Sequence, residues 1–388
     1  MRLLHTADWH LGRTLEGRDR HKEHEAFFEE LFTIVKDENI DAILMAGDVF
    51  DSVNPPAKSE ELFYETMARL SDQGNVPIVV IAGNHDHPDR LAAARTLIKN
   101  QGISITGYPV AENLRIHIPK CNEYLNIAAL PYPSESRLKE SFVDEGDELK
   151  IREAYDERIK GIFQQLTKDF TEAEVNIAMS HLFVAGGNAS ESERPIEVGG
   201  AYTMRATNLP DNVQYTALGH LHRPQYVKSS PKPARYSGSP LALSFSEAGY
   251  AKSVTIVDVN PGTKAEIKEI FLSSGKPLVR WKAKKGLAQV FQWMEEKRDA
   301  NAWIELEVHL DQSPSIDQIH QMKKDYPGLI TIRPVFPEEQ RQEGTERGKH
   351  IPVDEMFKRF YTRQTGGAEA EEELVSLFLE LVNEEVKE

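Results

Sequence analysis

Thiols are almost missing from this chain: Cys121 is the only cysteine in 388 residues. That excludes a disulfide framework and a thiolate zinc cluster, and makes a reducing cytoplasm the expected home. Long apolar runs are missing too. The one behind Met1 is far too short for a signal peptide, and no later run reaches membrane-spanning length, so no membrane partner is expected. Net positive charge is also lacking, the formal charge being −16. An acidic surface repels phosphate backbones, which excludes broad coating of nucleic acid. Any such contact must come from local basic patches, bound metal or a basic partner. Solenoid repeats are absent.

What is present is a regular alternation of strands and helices in a chain long enough for one large core and smaller units. Strands are expected over Arg2–Ala7, Ala42–Ala46 and Pro77–Ala82. Helices are expected near Glu23–Lys36, Ser59–Leu70 and Arg90–Lys99. Strand-like pieces follow at Leu114–Ile118 and Tyr124–Leu130, then a charged helix near 149–170. Val175–Met179, Tyr215–Leu218, 253–259 and 265–271 complete a two-layered sheet. A boundary falls near Ser273–Pro277. Beyond it the pattern is that of a small α+β domain, in which Ile304, Leu306 and Val308 face inward from an alternating strand. A polar linker leads to two short amphipathic helices. One carries Met356, Phe357, Phe360 and Tyr361, the other Leu374, Leu377, Phe378, Leu381 and Val382. The expected division is 1–274, 275–336, 337–352 (linker) and 353–388.

The apolar strands end in polar groups that bind metals: Asp8 with His10, Asp48, Asn84 with His85, His181, and His220 with His222. Singly, each has an ordinary explanation, since a lone histidine after a strand is commonly structural and Asp48 or Asn84 could serve a cap or a turn. Together they sit on the sheet edge where open α/β folds bind ligands. The inventory suffices for two ions. Asp8, His10, Asp48 and His222 would surround one, and Asp48, Asn84, His181 and His220 the other, with Asp48 bridging. Imidazole, carboxylate and amide donors without thiolate favour manganese, iron or zinc. Two such ions clamp the oxygens of a phosphoryl group during in-line displacement. His85 is left over as a general acid for the leaving oxygen, with Asp86 as its orienter.

These residues, Asp8-x-His10, Gly47-Asp48, Gly83-Asn84-His85-Asp86, His181 and Gly219-His220-x-His222, resemble the motif set of the calcineurin-like metallophosphoesterases. The flanking stretches His5–Gly12, Ala46–Asp51, Leu218–Pro224 and Tyr236–Pro240 resemble, within that superfamily, the SbcD family of nuclease subunits. The resemblance implies a four-layered α/β/β/α sandwich with a small α+β capping domain that helps hold DNA. It implies a manganese-dependent nuclease, exonucleolytic on double-stranded ends and endonucleolytic on single strands or hairpins, serving DNA repair and recombination. It also implies an SMC-like ATPase partner, SbcC, gripped by the C-terminal helices, and a homodimer built from the helices near 59–70 and 90–99. Asp51 is assigned no direct role. Lys276, Arg280, Lys282, Lys284 and Lys285 form a basic run suited to DNA phosphates. Two other readings stay open: the same chemistry on phosphoproteins or small phosphodiesters, and a non-catalytic subunit that tethers DNA.

Overall fold

A strand buried on both faces must be apolar at every position, and the strands carrying the motifs are of this kind. In the computed structural model, which describes residues 1–110, 113–140, 148–193, 202–311, 314–336, 353–364 and 372–385, Ala42–Ala46 and Ile78–Ile81 are buried throughout. Their alternation deals side chains to two layers. Ile43, Met45, Ile78 and Val80 pack with Phe27, Phe28 and Phe63 on the helix side. Leu44, Ala46, Val79 and Ile81 pack with Leu125, Ile177 and Ala217 between two sheets. This is why the sequence shows continuous apolar runs there instead of alternation.

The first sheet has the order Glu266–Phe271, Ser253–Asp258, Arg2–Thr6, Ala42–Ala46, Ile78–Ile81, Ile103–Thr106. Arg2–Thr6 pairs parallel with Ala42–Ala46 and antiparallel with Ser253–Asp258. The second sheet has the order Gln225–Tyr226, Ala234–Tyr236, Tyr215–Gly219, Val175–His181, Glu123–Leu130, Leu114–Ile118. Helices His21–Asp37 and Ala57–Ser71 cover the outer face of the first sheet. Helix Glu148–Thr167 covers the second through Tyr155, Ile159, Phe163 and Leu166. The result is the α/β/β/α sandwich.

Two local expectations need correction. The helix near Arg90–Lys99 is broken into the single turns Pro88–Leu91 and Arg95–Ile98. Only Leu91 of residues 90–99 is fully buried, Ala92 and Ile98 packing partly on the core while Leu97 is exposed, and so narrow an apolar contact gives a continuous helix little support. Ile103–Thr106, unassigned from the sequence, is the edge strand beside Ile78–Ile81. The linker expected at 337–352 lies outside the described residues.

The chain forms two compact units, Met1–Val308 with Pro314–Arg333, and His309–Ser313 with Pro334–Glu388. The larger contains the sandwich and the α+β segment, where Leu278–Ala283 pairs parallel with Trp303–His309. Ile304, Leu306 and Val308 are fully buried there, as their alternation required. Glu23 ties this segment to the sandwich. Its carboxylate accepts from Arg20 at 2.7 and 3.0 Å, from the Lys276 backbone N–H at 2.7 Å and from Trp303 Nε1 at 2.9 Å. In the smaller unit, helices Val353–Gln364 and Glu372–Glu385 meet through Phe357 stacked on Phe378, ring centroids 4.2 Å apart. Met356 and Leu377 remain 58% and 52% exposed.

Candidate metal centre

Backbone geometry at the strand ends sets the site. Asp8, His10, Asp48 and His220 all adopt left-handed backbone (φ 55°, 48°, 53° and 104°), which residues with a Cβ seldom occupy. The loops after Arg2–Thr6 and Ala42–Ala46 are laced together by Asp8 N–H to Gly47 O (2.9 Å), His10 N–H to Asp48 O (3.1 Å) and Leu11 N–H to Val49 O (2.9 Å). Trp9 anchors the first loop: it is fully buried against Phe27, Phe28 and Phe63, and its indole N–H donates to Thr6 Oγ1 at 2.8 Å. Alternation in the loop thus sends Trp9 into the core and its neighbours Asp8 and His10 into the site.

The seven expected ligands converge from both sheets. Asp48 Oδ2 lies 3.5 Å from His10 Nε2 and 3.4 Å from His181 Nε2. His10 Nε2 and His222 Nε2 face each other at 3.2 Å. Asn84 Oδ1 lies 2.9 Å from His181 Nε2 and 3.2 Å from His220 Nδ1. Ligand atoms of Asp8, His10 and His222 fall within 4.8 Å of one another, as do those of Asp8, Asp48 and His181. The close approach of the sheets depends on glycine: a Cβ on Gly219 would stand 1.9 Å from the Ala46 carbonyl oxygen and 2.8 Å from His181 Nδ1.

The far nitrogens fix the tautomers. His10 Nδ1–H donates to Asp51 Oδ1 at 3.2 Å, and His181 Nδ1–H to the Ala46 carbonyl at 2.9 Å. His222 Nδ1–H donates to Ser192 Oγ at 2.7 Å, and that hydroxyl donates onward to Glu247. Lone pairs on His10 Nε2, His181 Nε2 and Asn84 Oδ1 are thereby aimed at carboxylate and imidazole partners that are themselves acceptors. Asp8 Oδ1 accepts from the His220 backbone N–H at 2.9 Å, whereas its buried Oδ2 has no hydrogen-bond partner among the described residues. Converging lone pairs and an orphaned buried carboxylate oxygen are what a cation site requires. The donor set therefore fits divalent metals.

The electrostatics agree. Burial and the repulsion of Asp48 lift the Asp8 carboxyl to about 7, although His181 and His222 work against the rise. Burial opposes charge on His181, but Asp48 and Asp8 outweigh it and raise its pKa to about 9. Burial holds His10 down near 4 despite the Asp51 hydrogen bond. A buried carboxyl held toward its neutral form at Asp8 and an imidazole held toward its charged form at His181 both mark a pocket short of positive charge, while burial decides at His10.

Two assignments change. Asp86 does not orient the His85 ring: its carboxylate accepts from the backbone N–H groups of Gly83 (2.8 Å), Phe50 (2.9 Å) and Val49 (3.2 Å). Adjacent residues in a tight loop point apart, so Asp86 braces the loop while His85 faces the site. The His85 ring is held instead by the Asp51 carbonyl, which accepts from Nδ1–H at 2.7 Å. That ring stands edge-on to His10 with centroids 4.7 Å apart. Asp51, given no role from the sequence, holds both histidines, one through its side chain and one through its backbone. Burial favours a neutral Asp51, but His10 and Arg13 overcome it and hold the carboxyl near 2.

The supports of His222 also escaped the sequence. Glu193 Oε1 accepts from the His222 backbone N–H at 2.9 Å, and Lys252 Nζ donates to the His222 carbonyl at 2.9 Å and to Glu247. Nothing in the spacing of Ser192, Glu193, Glu247 and Lys252 announces a shared histidine. A buried lysine paired with a glutamate would be the only clue, and burial is not visible in a sequence.

Comparison with known proteins accords with this geometry. Residues 1–224 match the calcineurin-like phosphoesterase family, which implies divalent metals. Residues 274–365 match a family described as the type 5 capsule protein repressor C-terminal domain. The D subunit of nuclease SbcCD from Bacillus subtilis is 56% identical over 383 residues, covering 99% of this chain and 98% of that protein. Its counterpart from the SbcCD nuclease of Rhodobacter capsulatus is 34% identical over 298 residues, 72% of this chain and 71% of the relative. The chain belongs to the calcineurin-like phosphoesterase family and, within it, groups with the D subunits of SbcCD nucleases.

Proposed function

We propose that the chain is the nuclease subunit of an SbcCD-type complex, hydrolysing phosphodiester bonds in DNA with two divalent ions, manganese being the proposed metal. The observation that carries this reading is Asp48 Oδ2, which lies almost equally far from His10 Nε2 and His181 Nε2, at 3.5 and 3.4 Å. One oxygen thus serves both halves of the ligand set: Asp8, His10 and His222 on one side, Asn84, His181 and His220 on the other. When bound, two divalent cations supply the charge a phosphodiester anion needs and make water acidic enough to attack near neutral pH.

The chain's own residues orient and protonate. Asp51, Ala46 and Ser192 fix His10, His181 and His222 so that each presents Nε2. His85, in the form protonated on both nitrogens, gives its Nδ1–H to the Asp51 carbonyl and keeps its Nε2–H as the proton for the leaving oxygen. In the basic run, Arg280 already pairs with Glu305 at 2.7 Å and Lys276 Nζ lies 4.2 Å from the Trp303 ring centroid, leaving the exposed Lys282, Lys284 and Lys285 as the proposed DNA contacts. The exposed apolar side chains of the C-terminal helices, Met356 and Leu377, suit an SMC-like ATPase partner of SbcC type. Helix Ala57–Ser71 and the segment around Leu97, itself 81% exposed, suit a homodimer.

The test is incubation of the purified protein with manganese and linear duplex or hairpin DNA, with and without the ATPase. Cleavage that requires the metal is expected. No cleavage in any combination, or cleavage unchanged in His85→Ala, defeats the proposal.

A further inference from the structure

Arg137 stands outside every motif. It lies on the single helical turn Glu135–Leu138, which follows strand Glu123–Leu130 of the second sheet. Its guanidinium nevertheless reaches the loop that carries Asn84 and His85. Nη1 donates to the Gly83 carbonyl at 2.8 Å and Nη2 to the Asp86 carbonyl at 2.6 Å. Those two carbonyls bracket Asn84 and His85, so a rigid fork fixes the span of the loop between them. The approach to the fork is fixed as well. The Tyr132 N–H donates to the Ala82 carbonyl at 2.9 Å, the Tyr132 ring lies 5.2 Å from the guanidinium carbon, and the same ring stands edge-on to His181 at 6.4 Å. From inside the loop, Asp86 draws together the backbone of Gly83, Val49 and Phe50. From outside, Arg137 clamps its two ends.

We propose that Arg137 is a positioning residue, setting Asn84 toward one of the two ions and His85 toward the leaving oxygen; the inference rests on the two-ion reading above. Among the described residues Arg137 makes no hydrogen bond to the side chain of Asn84 or of His85, so it acts through the backbone. Two parallel donors on one plane are needed, which a lysine ammonium does not reproduce.

The experiment compares the full-length wild type with Arg137→Ala, Arg137→Lys and Arg137→Gln. It reads manganese binding without DNA by titration calorimetry, thermal melting, and nuclease turnover at saturating metal with and without added guanidinium ion. Arg137→Ala is expected to bind one ion as wild type does and the other roughly ten- to a hundredfold more weakly. Its turnover falls, and millimolar guanidinium restores part of both losses, a response that a general loss of packing would not give. Arg137→Lys shows the same two-ion asymmetry, and Arg137→Gln carries the comparison if the alanine variant does not fold. Unchanged binding of both ions, or equal weakening of both without guanidinium rescue, overturns the inference while leaving the two-ion reading intact. A wild-type isotherm with fewer than two ions overturns that reading and the inference with it.

Discussion

Asp51 offers a clean separation of metal binding from turnover, because its two contacts leave from different parts of the residue. The carboxylate orients His10 at 3.2 Å and meets Arg13 at 3.0 Å, whereas the backbone carbonyl holds His85 at 2.7 Å. Asp51→Ala removes only the first pair. Arg13 is partly exposed and can turn to solvent, so the cost falls on His10, whose tautomer and ring angle lose their support. Removing such an outer partner weakens metal affinity by roughly ten- to a hundredfold. At 1.4 kcal/mol per tenfold this is about 1.4–2.8 kcal/mol, the range of a hydrogen bond to a charged group. Manganese titration of the nuclease rate should therefore show a midpoint shifted by that factor, with calorimetry assigning the loss to one ion. Turnover at saturating metal should stay within a few-fold of wild type, because alanine keeps the carbonyl that holds His85. An unchanged midpoint would refute the role of the carboxylate, and turnover lost even at saturating metal would refute the division between side chain and backbone.

Asp48→Asn keeps the shape but weakens the donor at the shared oxygen, and calorimetry should show both ions weakened; one ion retained at wild-type affinity would contradict the bridge. Gly219→Ala places a Cβ 1.9 Å from the Ala46 carbonyl oxygen, so overpacking of about 1–3 kcal/mol should lower the melting midpoint and disturb His181. An unaltered melt would show that the sheets separate freely there. Burial pushes the Glu23 carboxyl up, but Arg20, the Lys276 N–H and Trp303 together hold it below its ordinary value. A depressed carboxyl stabilises the fold fully above the ordinary glutamate value of about 4.3 and loses that contribution as pH falls through the folded value. Melting midpoints against pH should therefore fall on the acid side in wild type, and Glu23→Gln should be less stable at pH 7 with a flatter acid limb. Parallel curves for the two proteins would refute this.

The convergence of the candidate ligands was legible because metal chemistry restricts residue type and because buried parallel strands place their loops at one edge. Asp8, His10, Asp48, Asn84, His181, His220 and His222 each follow an apolar run, and each run became a strand of one of the two sheets. The supports were illegible for the opposite reason. Asp51 and Ser192 act by accepting a hydrogen bond from the far side of an imidazole, and Glu247 by accepting in turn from Ser192, tasks that many residues perform from any sequence distance. Asp86 was misread because adjacency in sequence resembles partnership, whereas in the loop its carboxylate turns to three backbone N–H groups. The segment 90–99 has residues suited to a helix, yet it forms only turns, its apolar contact with the core being limited to Leu91, Ala92 and Ile98.

The strained backbone explains why the ligands come from strand ends and not from within strands. A residue inside a strand points along the pleat, into a packed layer above or below the sheet. To point a side chain forward, past the sheet edge, the chain must leave the extended region, and Asp8, His10, Asp48 and His220 do so by entering left-handed backbone. Each such residue costs about 1–3 kcal/mol, a strain that persists only where the surroundings impose it. Here the surroundings are explicit: Trp9 is locked among Phe27, Phe28 and Phe63, and the two loops share the hydrogen bonds of a continued ladder from Asp8 to Leu11. The core of the first sheet thus holds the donors in place before any cation arrives. The second sheet contributes His181 as the last residue of its strand, where the absence of a side chain at Gly219 brings that imidazole beside Ala46 and completes the set across the seam.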